Sequence, residues 1–133
     1  MGATYLDSVP NSSPTVLVVD DDDDIRFSVR DLLVSNGYAV ETAADGQAAL
    51  DYMRRGKRPS LIVLDLRMPV RSGNDVLDAL RSSTFVDVPV IVLSAYLSQP
   101  PAGAVAWLKK PVTPKLLLST VGSYLSPSGA PAD

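Results

Sequence analysis

Three stretches of the chain are nearly unbroken apolar runs: Val16 to Val19, Leu61 to Leu64, and Val88 to Leu93. They are short and rich in β-branched residues. That pattern predicts parallel strands buried on both faces. Tyr38 to Thr42 and Ala104 to Leu108 are weaker strand candidates. Between these runs the apolar spacing changes to that of a helix. Ile25, Val29, Leu32 and Leu33 form one stripe that stops at Gly37. Ala49, Leu50 and Met53 form a second within Gln47 to Arg55, ahead of Gly56. Val76, Leu77 and Leu80 form a third within Asn74 to Ser82. Thr113-Pro114 reads as an N-cap with proline at the first helical position. The helix behind it carries Leu117, Val121, Tyr124 and Leu125.

Strands alternating with helices predict an α/β domain: a five-stranded parallel sheet with helices on both faces. Residues 1–14 have no periodicity and are expected to be a flexible leader. The domain is expected over 15–125, with 126–133, SPSGAPAD, as a disordered tail.

Composition narrows the chemistry. The 133 residues suffice for one domain with one core. A net charge of −3 speaks against direct contact with nucleic acid, whose phosphates need a basic surface. There is no cysteine and no histidine, so any metal must be a hard cation held by oxygen. No apolar run is long enough to cross a bilayer, and the N-terminus lacks a signal peptide. A cytoplasmic protein without membrane contact is therefore expected.

In open parallel sheets the reactive groups gather beyond the carboxyl ends of the strands. The first strand ends in Asp20-Asp21, the third in Asp65, the fourth in Ser94 and the fifth in Lys109-Lys110. One polar residue at one strand end is only where a strand meets water. Four strand ends delivering three carboxylates, a hydroxyl and an ammonium form a complementary set. Close carboxylates share a proton or bind a cation. A divalent ion would neutralise what one lysine leaves over, and Mg²⁺ suits oxygen ligands beside phosphate. Such a site can hold the equatorial oxygens of a phosphoryl group, with a remaining carboxylate as nucleophile.

The segments VLVVDDDDDIR (16–26), TAADGQAAL (42–50), LIVLDLRMPVRSG (61–73), VPVIVLSA (88–95) and GAVAWLKKP (103–111) together resemble the receiver domain of bacterial response regulators. The resemblance implies the doubly wound (βα)5 fold of flavodoxin and CheY. It implies Asp65 as phosphoacceptor and Asp20 and Asp21 as the acidic metal pair. It implies the backbone carbonyl of Arg67 as a further Mg²⁺ ligand. Ser94 and Lys110 would meet the phosphoryl oxygens, and Ser94 and Trp107 would report the switch. Lys110, next to Pro111, is preferred to Lys109, and a cis peptide is plausible there. Arg67 and Tyr96 would flank the phosphoryl group and tune its lifetime.

The expected role is a stand-alone response regulator. It takes a phosphoryl group from a histidine kinase or phosphotransfer protein, catalyses its own phosphorylation and dephosphorylation, and signals by binding protein. Two other readings exist: a receiver-shaped binding module that works without phosphorylation, and a Mg²⁺-dependent aspartyl phosphohydrolase. Against the latter, Arg67 stands where such enzymes often place a second acid.

The chain departs from the family pattern at one place. Only Ala95 to Ala102, including Pro100-Pro101, separates Ser94 from Gly103. A parallel crossover normally needs more residues, and prolines break a helix interior. The fourth helix is expected to be missing or reduced to about one turn. That leaves 94–106 and 113–125, with Leu116 and Leu118, as a possible partner face. Within VVDDDDDI, Asp22 or Asp23 is the expected helix cap and Asp24 a first-turn charge.

Overall fold

The computed structural model describes residues 15–66, 73–81, 87–95 and 101–127. Five parallel strands, β1 (Thr15–Val19), β2 (Ala39–Ala43), β3 (Leu61–Asp65), β4 (Val90–Ser94) and β5 (Ala106–Lys109), form one sheet. Their order is β2-β1-β3-β4-β5. The helices are α1 (Asp23–Ser35), α2 (Gly46–Arg54), α3 (Gly73–Arg81) and α4 (Pro114–Gly122). This is the expected α/β architecture.

The apolar runs become the three inner strands because both of their faces are covered. Side chains alternate along a strand. Val16, Val18, Leu61, Val63, Ile91 and Leu93 join Leu33 of α1 and Leu117 and Val121 of α4 in one core. Leu17, Val19, Ile62, Leu64, Val90 and Val92 join Ala49, Leu50 and Met53 of α2 and Val76, Leu77 and Leu80 of α3 in the other. Full burial of each such aliphatic side chain contributes about 1.5–3 kcal/mol.

Helix ends follow their local chemistry. Asp22 caps α1, its carboxylate accepting from Ile25 N at 3.0 Å. Asp45 caps α2 through Ala48 N at 2.8 Å, and Thr113 caps α4 through Leu116 N at 3.1 Å. The stop of α1 needs Gly37 at φ 93, where a left-handed residue lets Tyr38 N reach Leu33 O at 3.1 Å.

Some expectations shift. Tyr38 belongs to the turn before β2, not to the strand. Its buried hydroxyl donates to the Leu125 carbonyl at 2.8 Å. Helix α4 stops before Tyr124, whose hydroxyl donates to the Val105 carbonyl at 3.1 Å. Ile25 and Leu116 lie in apolar patterns yet are exposed, while Leu118 packs against the α1/α4 core.

Between β4 and β5, the described residues 95 and 101–105 contain no helix. This agrees with a missing or reduced fourth helix. The turn pivots on Gly103 at φ 94, and a side chain there would meet Arg81 Cδ at 3.0 Å. The stem of Arg81 thus lies against this turn. Residues 1–14 and 128–133 of the expected leader and tail lie outside the described residues, whereas Pro127 rests beside Gly37.

Candidate functional site

The register of the inner strands brings the acids together. Val19 pairs with Leu64, so Asp20, just after β1, comes beside Asp65, the last residue of β3. Both carboxylates are buried, with 3% and 5% of each residue exposed, while Asp21 is open to solvent. One oxygen from each of the three lies within 4.8 Å of the others. The Asp20 carboxylate also accepts from Asp22 N at 2.9 Å, which bends the chain from strand to helix.

Lys110 follows β5 and reaches across the end of β4. Its Nζ stands 3.3 Å from Asp65 Oδ1 and 3.5 Å from Asp20 Oδ2. Its backbone N–H donates to the Ser94 carbonyl at 3.0 Å. The Lys110–Pro111 peptide is cis. Lys109 ends β5 exposed, so of the neighbouring lysines Lys110 is the one that enters the site.

These groups line a pocket of about 350 Å³ with Asp22, Ile25 and Ala95. Ser94 closes β4 one residue before Ala95 and is buried. Trp107 is half-buried against the α2/α3 core, and its Nε1 is buried with no hydrogen-bond partner among the described residues. Arg67 and Tyr96 lie outside the described residues.

One neighbour of the site is not foreseen by the helical pattern. Arg26 falls on the polar side of the predicted first helix, yet it is buried. Its guanidinium donates to the Asp20 carbonyl at 2.8 Å and pairs with the Asp23 carboxylate. The signal available in the sequence is a cation two positions after five consecutive acids, whose charge the fold must offset.

The donor set fits a hard divalent cation. Among the described residues the candidate ligand atoms are oxygen, three carboxylates converge, and the Lys110 ammonium offsets only part of their charge. The same ammonium and the buried floor could hold a phosphoryl group next to such an ion.

Residues 16–122 match the family model described as the response regulator receiver domain. The chain belongs to this family. It is the receiver domain of a two-component response regulator. The receiver is 44% identical over 127 residues to the transcriptional regulatory protein PrrA of Mycobacterium leprae, covering 91% of this chain and 54% of that protein. It is 43% identical over 119 residues to the response regulator MprA of Mycobacterium bovis, covering 85% and 51%. The chain therefore spans about half the length of the curated relatives it matches. Among solved structures, the Vibrio cholerae chemotaxis protein CheY4 superposes with a TM-score of 0.73 at 36% identity, covering 82% of this chain and 96% of that one. A response regulator receiver protein from Pseudomonas putida gives 0.76 at 31% identity, covering 84% and 97%. Among the described residues no helix is long and apolar enough to cross a membrane.

Proposed function

We propose that this receiver accepts a phosphoryl group on Asp65 from the phosphohistidine of a histidine kinase or phosphotransfer protein. The observation that carries the reading is the Lys110 ammonium set between Asp65 and Asp20, with Asp21 completing a three-carboxylate cluster. An oxygen of Asp65 attacks phosphorus in line. The O–P bond forms, the P–N bond breaks, and its electron pair stays on the donor imidazole nitrogen. These 133 residues hold no histidine, so the donor lies outside them.

Asp20, Asp21, Asp65 and the Arg67 carbonyl would hold Mg²⁺, which supplies charge neutralisation to the transferring oxygens. Lys110 pairs with one of those oxygens, and Ser94 donates to another. An apolar groove of about 590 Å³ opens beside the acids between α1 and α4, sharing Ile25, Ala95 and Lys110 with the acid pocket. It supports a protein donor over a small one.

Phosphorylation would bias a two-state equilibrium through Ser94, with Trp107 responding. The output would be a protein contact on the 94–106 and 113–125 face. The acidic charge balance favours protein over nucleic acid as the partner of these residues.

Incubation with acetyl phosphate and Mg²⁺ should add the mass of one phosphoryl group, and Asp65→Asn should abolish the gain. No gain with either acetyl phosphate or a cognate kinase would overturn the reading in favour of a binding module that needs no phosphorylation.

A further inference from the structure

The turn from β1 into α1 poses an electrostatic problem. Asp20 to Asp24 are consecutive acids, and the first two must converge with Asp65 instead of splaying apart. Backbone capping answers part of it: Asp22 N binds the Asp20 carboxylate, and Arg26 N binds the Asp22 carbonyl at 2.9 Å. Lys110 offsets charge at the Asp20 and Asp65 carboxylates, and Arg26 acts at the turn itself. The Arg26 guanidinium reaches back six positions to the Asp20 carbonyl at 2.8 Å and three positions to the Asp23 carboxylate. Its two acceptors lie on opposite sides of the turn, one just beyond the strand and one at the start of the helix. A planar fork can bridge them; a single ammonium cannot hold both in the same geometry.

Burial sharpens the point. The Arg26 side chain is 8% exposed while its partner Asp23 is 74% exposed. An ion pair formed only for surface attraction would leave both ends in water. Here the cation is drawn inward, to a backbone oxygen of the residue whose carboxylate faces the site.

We propose that Arg26 is a positioning residue of the metal site, stapling the Asp20–Asp23 turn so that the Asp20 and Asp21 carboxylates converge on a divalent cation with Asp65. The inference rests on the Mg²⁺ reading given under Proposed function. It makes a prediction whose sign separates positioning from charge. A cation close to a cation site repels the ion, so by charge alone its removal would tighten Mg²⁺ binding. Positioning demands the opposite, because loose ligands bind more weakly. Removal of a group that orients a ligand typically weakens metal affinity about tenfold or more.

The test is calorimetric titration of Mg²⁺ into the metal-free chain, wild type against Arg26→Gln, with thermal melts confirming that both are folded at the titration temperature. The expected result is a Kd raised about tenfold in Arg26→Gln. Arg26→Lys, which retains the charge but not the fork, should also weaken binding, and it carries the test if Arg26→Gln fails to fold. A Kd that is unchanged or lowered in a folded variant, while the wild type binds, overturns the role of Arg26 alone. A wild type that shows no saturable Mg²⁺ binding overturns the metal reading itself, and this role with it. A lower melting temperature with an unchanged Kd would mark Arg26 as a structural ion-pair residue only.

Discussion

The Lys110 ammonium stands 3.3 Å from the Asp65 carboxylate, although β5 and β3 are separated in the sheet by β4. The lysine spans a whole strand to meet the acid. Its flexible, partly exposed side chain would let it follow a phosphoryl oxygen if one were delivered to Asp65. Lys110→Ala should slow phosphorylation of Asp65 by acetyl phosphate about 100-fold, in line with losing one group that stabilises developing charge. The rate of mass gain at saturating Mg²⁺ measures this. An unchanged rate would remove Lys110 from the transfer step.

Mutual repulsion of Asp20, Asp21 and Asp65 is a cost the fold carries when no cation is present. Added Mg²⁺ should raise the melting temperature, and at 100 times its Kd the stabilisation should be about 2.7 kcal/mol. A chelator should reverse the gain and abolish phosphorylation. Asp21→Asn should remove most of the Mg²⁺ effect. Asp22→Asn should not, because the Asp22 side chain is engaged at the helix cap. Melts with and without Mg²⁺ check the stability statements, and the mass gain on incubation with acetyl phosphate checks the loss of phosphorylation.

Gly103 adopts a left-handed backbone, and a side chain there would touch Arg81. Gly103→Ala should destabilise the domain by about 1–2 kcal/mol from backbone strain. Urea unfolding gives the value. Gly56, at φ 85 with open space around it, is the control in which only the backbone contribution appears.

Burial raises the pKa of the Tyr38 phenol above its ordinary value. The unfolded chain then releases this proton at lower pH than the folded one. The contribution of Tyr38 to stability is complete below about pH 10 and is lost as pH rises through the folded value. Tyr38→Phe should cost about 1 kcal/mol at neutral pH, from the lost bond to the Leu125 carbonyl. The variant should also lose less stability than wild type when unfolding is repeated at alkaline pH. Tyr52 shifts in the same direction, by burial and then by the charge of Glu41, and would persist in the variant.

Much of this was legible in the residues because burial on both faces leaves an uninterrupted apolar signature. Val16 to Val19 and Leu61 to Leu64 could be little other than inner strands. Their ends put Asp20 and Asp65 at one edge of a parallel sheet, and the pairing of β1 with β3 sets them side by side. Periodicity served less well where a side chain has two natures. Arg26 reads as a solvated charge on a helical wheel, and only the three-dimensional turn shows that its acceptors lie inward. Ile25 reads as core but is exposed at the groove, since the chain bends toward the site just before it. Tyr38 reads as a strand residue, and its partner Leu125 lies 87 positions away, beyond any local pattern. For the two adjacent lysines the neighbouring Pro111 singled out Lys110, and Lys110 is the one that lines the pocket.

The strand order leaves β2 and β5 as the two rims of the sheet among the described residues, and a sheet rim is where another strand can pair. The inner strands keep ionisable residues out of all but their final positions, whereas each rim carries an exposed charge, Glu41 on β2 and Lys109 on β5. The β5 rim is also only four residues long. Charged residues on a sheet rim disfavour the pairing of one molecule's edge with the next, so a lysine outside the pocket is of the kind that keeps such rims apart.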